Sequence, residues 1–258
     1  MNSRTENPKA TTSENIIALG GFPIKSTTKQ ELFTQLKNSV EQQQQVALFF
    51  ANTNFVVKCQ THKEKMSGAD TIIINDGVGL DIGTWLIHRK KFPENLNGTD
   101  FIPAFLQSLK GSGRVFLLGA KPGIAQRAAQ TLGNEHQVNV VGALNGYDEA
   151  KDTAAVIEKI NQSNANVLLV AMGNPYQEEW IVKNRDQLNV SVLMGVGALF
   201  DFLAGDKARA PRFVQRMRLE WLYRLSLEPS RLLRRYTIDI GQFLILCLRK
   251  GGSLENSQ

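Results

Sequence analysis

IIINDGVGLDIGTW, residues 72–85, sets three isoleucines suited to a buried strand directly before Asn75, Asp76 and Gly77. Turn chemistry alone explains that ending, because Asn and Asp bond their own backbone and Gly supplies positive φ. A second reading is that a carboxylate is held at the carboxyl end of a parallel strand, where open α/β sheets place their ligands. The next residues, VGLDIGTW (78–85), mix polar and apolar side chains as a helix does, so the stretch reads as strand, loop and helix.

The same unit recurs along the chain. VALFF (46–50), TIIIN (71–75), RVFLLG (114–119), QVNVVG (137–142), NVLLVAMG (166–173) and VSVLMGVG (190–197) are short apolar runs rich in branched side chains, most of them ending at Gly, Asn or Asp. Helical patterns fall between and around them at 54–66, 79–90, 99–110, 123–132, 150–162 and 177–187. Alternation of this kind predicts an α/β fold: a mainly parallel, Rossmann-like sheet flanked by helices. The polar start is expected to be a tail over residues 1–15, followed by the main domain over 16–205, a basic helical appendage over 206–250 and a short tail over 251–258.

Two further strand ends carry signals. AMGNPYQEEW (171–180) sets Gly173 and Pro175 in a tight turn and opens a helix with Gln177, Glu178 and Glu179, where acidic side chains suit the helix dipole. Gln177 is thereby expected beside whatever the crevice holds. GVGALFDFLAG (195–205) repeats the device, with Gly195 and Gly197 letting backbone approach a ligand and with Phe200 and Asp201 one turn into a helix. With the Asp76 loop, these ends predict one shared crevice. LLGAKPGIAQ (117–126) fails as a dinucleotide fingerprint, since its glycines do not fit GxGxxG and the next strand lacks an acidic tip.

Composition excludes several classes. With 42% hydrophobic and 21% charged residues the chain is an ordinary globular protein. Cys59 and Cys247 are its only cysteines and lie too far apart for a CxxC site, which fits a reducing cytoplasm. His62, His88 and His136 are scattered over separate elements, so no metal site is expected. Trp85, Trp180 and Trp221 each sit in a helical pattern and read as core or interface anchors.

Charge is unevenly placed. Residues 206–250 hold eleven Lys or Arg against four acids, a net +7 within a chain of net +6. Such asymmetry points to a polyanionic partner. No nucleic-acid reader motif is present, whereas Arg interleaved with Phe213, Met217, Trp221, Leu222, Leu225, Leu232 and Leu233 suits an anionic membrane surface. FLILCL (243–248) is too short to span a bilayer, which takes about 20 apolar residues.

At these residues the chain resembles the WecG/TagA/CpsF bacterial glycosyltransferases, over about Gly21 to Phe243. The resemblance rests on NDGVGLDI, NGTDF, GNPYQEEW, GVGALFDFLAG and ARAPRFVQRMRLEWLYRLSLEPSRLLRRY, in that order. It implies transfer of a hexose from a UDP-sugar to a polyprenyl-pyrophosphate-linked saccharide, with inversion and with neither metal nor cofactor. It implies Asp76 as general base, and Gly173, Pro175, Gln177, Glu178, Gly195, Gly197, Phe200 and Asp201 around the donor. Asn52, Asn54, Asn75 and Asn95 become active-site support, and Arg209, Arg212, Arg224, Arg231 and Arg235 meet phosphate or the inner face of the cytoplasmic membrane. Self-association is left open.

Two departures bear on the substrate. Where the family commonly has Thr-x-Asn, Asn52 takes the Thr place before Asn54, and where many members have Pro-Glu-Arg this chain reads Pro93, Glu94, Asn95. FPENLNGTDF instead looks like the branch that adds glucose to a glucose-pyrophosphate-lipid in xanthan-type exopolysaccharide assembly, making UDP-glucose the expected donor. The alternatives are an N-acetylmannosamine or N-acetylmannosaminuronic acid transferase of the same family, or a non-catalytic nucleotide or nucleic-acid binding protein.

Overall fold

The structure is a computed structural model that describes residues 15–217 and 219–250, apart from the side chains of Arg231, Arg235 and Tyr236. The tail expected over 1–15, except Asn15, and the tail over 251–258 lie outside the described residues. So do Arg218 and the side-chain roles expected of Arg231 and Arg235.

Among the described residues eight strands form one sheet: β1 (Ile16–Leu19), β2 (Phe22–Lys25), β3 (Val46–Ala51), β4 (Thr71–Asn75), β5 (Arg114–Gly119), β6 (Asn139–Leu144), β7 (Val167–Ala171) and β8 (Val192–Gly195). Their spatial order is β1-β2-β4-β3-β8-β7-β5-β6. Among the described residues only β1 and β2 pair antiparallel. Gly20 and Gly21 turn that hairpin at φ of 57° and 85°, the left-handed conformation a tight two-residue turn requires. Every other ladder is parallel, so the expected Rossmann-like α/β fold is the one observed.

Helices cover both faces, and this is why the central strands are apolar without interruption. β3, β7 and β8 are buried at every position. Alternate side chains divide between two cores, as strand geometry demands. Phe49, Ile73, Leu168 and Leu193 face one core, with Phe55 and Val56 of α2 (Thr53–Lys58), Leu80 of α3 (Val78–His88), Ile160 of α6 (Thr153–Gln162) and Ile181 of α7 (Tyr176–Asn184). Leu48, Phe50, Ile72, Leu169 and Met194 face the other. Against them pack α1 (Lys29–Glu41), α4 (Gly98–Ser108), α5 (Ile124–His136) and α8 (Leu199–Leu203).

The basic segment forms α9 (Arg212–Arg216), α10 (Glu220–Leu227) and α11 (Pro229–Lys250). α11 is amphipathic, and its apolar side is used by the main domain: Phe243 and Cys247 are each 1% exposed and belong to the first core. Gly83 of α3 makes room for it, since a Cβ there would meet the Phe243 ring at 2.6 Å. Among the described residues no helix is long and apolar enough to cross a membrane.

Candidate active site

Four neighbouring parallel strands, β4, β3, β8 and β7, bring their carboxyl ends together. The three stretches singled out in the sequence emerge at that one edge, although more than a hundred residues of chain separate the Asp76 loop from the Gly195–Gly197 turn. Parallel pairing forces this outcome, because every such strand points its last residue to the same edge.

The Asp76 loop is fixed on both sides. The Asp76 amide donates to the Ala51 carbonyl at 2.7 Å, tying the end of β4 to the end of β3. Asn52 follows at once and caps α2, its side chain accepting from the Phe55 amide at 3.1 Å. Asn54 lies half-buried in the first turn of α2. Asn75 is fully buried, donates to the Glu94 carbonyl at 2.9 Å, and keeps its Oδ1 without a hydrogen-bond partner among the described residues. Asn95 accepts from the Gly77 amide at 2.8 Å. Thus Asn75 and Asn95 staple the Asp76–Gly77 turn to the 94–95 loop, while Asp76 itself is half-buried at the crevice. Beside it runs a cleft of about 600 Å³ lined by Val78, Asp81, Trp85, Lys91 and Asn95.

Across the crevice the two glycine turns share one brace. Gln177 Oε1 accepts from the Gly173 amide at 3.2 Å and from the Gly197 amide at 2.9 Å, while Nε2 donates to Glu178 at 2.8 Å. Gln177 is 3% exposed, so it binds the ends of β7 and β8 to each other from behind the crevice wall. Gly195 permits this: a Cβ there would come within 3.0 Å of Gln177 Nε2. Pro175, after a cis peptide bond, precedes α7.

Glu178 is buried beneath the same turn. Its Oε1 takes bonds from Gln177 and from Asn174 at 2.5 Å, and its Oε2 has no partner among the described residues. Burial pushes this carboxyl up to about 7, opposed by the two amide donors. Glu179, next along, turns outward to His62 at 2.7 Å.

Phe200 is fully buried in the second core, and Asp201 is half-buried at 3.5 Å from Lys207. Arg209 grips Asp100, in the first turn of α4, through two bonds of 2.6 and 3.2 Å. Arg224 bonds Glu220 at 2.8 Å and lies 4.7 Å over the Phe202 ring. Each guanidinium keeps a buried Nε without a partner among the described residues. Arg212, at the start of α9, is exposed. No group of three or more His, Cys, Asp or Glu placed to hold a metal ion occurs among the described residues.

Comparison with known families settles the class. The model of the glycosyl transferase WecG/TagA/CpsF family matches residues 17–257. The chain belongs to that family. It is therefore a glycosyltransferase with a Rossmann-like fold, as the quoted motifs imply. In this WecG/TagA/CpsF member the motif residues divide by position. Asp76, Asn52 and Asn54 stand at the strand ends that open on the crevice, whereas Gln177, Glu178 and Phe200 lie behind it. The sequence pattern sets Gln177 beside the ligand and has no means of showing that its amide holds two strands together.

Proposed function

We propose that this chain is an inverting hexosyltransferase that moves glucose from UDP-glucose onto a polyprenyl-pyrophosphate-linked sugar in exopolysaccharide assembly. The observation that carries the reading is Asp76 at the end of β4, its backbone amide bonded to the end of β3, on the same sheet edge as the glycine turns of β7 and β8. An acceptor hydroxyl attacks the anomeric carbon from the face opposite UDP. The new C–O bond forms as the bond to the UDP oxygen breaks, and the hydroxyl proton passes to Asp76.

The leaving pyrophosphate gains charge as that bond breaks, so cations or backbone donors must meet it. The amides of Gly173 and Gly197 are already taken by Gln177. Arginine is the better candidate, since its planar fork matches phosphate. Arg212 is exposed at the start of α9, whereas the forks of Arg209 and Arg224 hold Asp100 and Glu220 and would have to exchange those carboxylates for phosphate. In this reading no metal is required, and the enzyme works peripherally on the inner face of the cytoplasmic membrane, where its lipid-linked acceptor resides.

The test is transfer of labelled sugar from UDP-glucose, UDP-N-acetylmannosamine and UDP-N-acetylmannosaminuronic acid to a polyprenyl-pyrophosphate glucose acceptor, with and without chelator. Glucosylation that resists chelation and yields the inverted anomer supports the proposal. Transfer from one of the other donors alone removes the glucose assignment, and no transfer from any donor removes the acceptor class.

A further inference from the structure

Three large apolar side chains of α3 face solvent: Ile82, Trp85 and Leu86 are 51%, 48% and 43% exposed. Their spacing places them on one side of the helix. The opposite side is consumed by packing, with Leu80, Gly83 and Thr84 buried and Phe243 of α11 seated on Gly83. So α3 is held firmly from behind and presents an apolar stripe in front. The chain then runs directly into Arg89, Lys90 and Lys91, all exposed. Arg89 lies 4.6 Å over the Trp85 ring, joining the cationic rim to the stripe. The stripe and Lys91 form one wall of the cleft beside Asp76, which Asp81 and Glu94 also line, and Glu94 is engaged by the Lys29 amide at 3.0 Å.

We propose that this stripe and its cationic rim seat on an anionic lipid bilayer, making α3 a membrane contact separate from the C-terminal segment. Apolar side chains beside clustered cations are what the boundary between headgroups and acyl chains accommodates, and an aromatic ring adds affinity for that depth. Charge decides between a bilayer and a second copy of the chain. A two-fold contact through this face would set Arg89, Lys90 and Lys91 near their own copies, whereas anionic lipid attracts them. The contact deepens the proposed function and rests on it in one respect: Asp76 lies two residues before α3, so a seated α3 brings the base to the level where a lipid-linked sugar arrives.

The experiment uses the full-length chain with Trp180→Phe and Trp221→Phe, which leaves Trp85 as the only indole. Vesicles of phosphatidylcholine and phosphatidylglycerol, with and without brominated acyl chains, should shift Trp85 emission to the blue and quench it. High salt or pure phosphatidylcholine should abolish both effects. Ile82→Gln with Leu86→Gln should weaken vesicle partition by about tenfold or more, because both side chains then resist burial. Unfolding should remain unchanged, since both positions are exposed. No sugar donor enters the measurement, so failure of the transfer reading leaves it intact. Vesicle binding with unaltered Trp85 emission, equal partition of the double variant, or no vesicle binding at all would overturn the proposal. So would emission that depends on protein concentration without lipid, together with a dimer that the double variant dissolves, which assigns the face to a second copy.

Discussion

Replacing Gln177 by Ala removes the brace between the two glycine turns and tests whether it sets the donor side of the crevice. Three hydrogen bonds are lost: two from the Gly173 and Gly197 amides and one to buried Glu178. The two amides are only part-buried and regain water, so each costs about 0.5–1 kcal/mol. The bond to the Glu178 carboxyl is buried and contributes about 1–2 kcal/mol, moderated because Asn174 still donates to the same oxygen. The sum is about 3 kcal/mol, a fall in Tm of roughly 6–12 °C for a domain of this size. Scanning calorimetry reads the stability, and titration calorimetry with UDP reads the site. Affinity should fall with stability, because the ends of β7 and β8 are no longer tied. A Tm within about 2 °C of the parent, with unchanged UDP affinity, would refute the argument. Lost stability with intact affinity would confine Gln177 to the scaffold and place the nucleotide elsewhere.

Asp76→Asn should keep the fold and UDP affinity while turnover drops by about two to four powers of ten, measured in the transfer assay. Glu178 has its folded pKa raised to about 7 by burial, so the folded state holds the extra proton. Stability is then greatest below the unfolded value near 4.5 and declines as pH rises towards about 7, by at most about 3 kcal/mol. Denaturant titrations across that range should show the slope, and Glu178→Gln should flatten it. Phe243→Ala should cost about 3–5 kcal/mol in denaturant unfolding, because the ring fills the groove over Gly83. A cost under about 1 kcal/mol would mean that α11 is only loosely attached.

Parallel strands buried on both faces read as unbroken apolar runs, and so the central strands and their ends are visible in VALFF, TIIIN and NVLLVAMG. The expectation of 137–142 for the sixth strand falls early, because Gln137 adopts φ of 54° to end α5 and β6 begins at Asn139. Helix 54–66 breaks into α2 and two short 3-10 turns. The hairpin of β1 and β2 has no legible signature, since two four-residue strands, one containing Pro23, carry little periodic signal. Strand order is a long-range property, and no local pattern states that β3 lies between β4 and β8. Trp85 matches a helical pattern, but the pattern alone does not say which side of the helix faces outward. The site divides likewise. A carboxylate at a strand end is a local signal, while a glutamine spanning two turns needs the tertiary partner that Gly195 makes room for. The buried side of α11 is illegible because the same Leu, Phe and Arg mixture suits a bilayer and a protein core equally well.

The seat of α11 has a further consequence, for biosynthesis. Phe243 lies in one core with Leu19 and Phe22, and Leu246 approaches Gly20. The β1–β2 hairpin is thus finished by a helix that the ribosome makes long after it. Until that helix emerges, the opening hairpin lacks its lid and its apolar side stays wet, with the attendant risk of premature association. Contacts so distant in sequence also slow closure, since the whole intervening chain must be gathered first. The finished molecule gains a clasp in exchange: neither the opening hairpin nor the closing helix can peel away without opening the core that both of them seal.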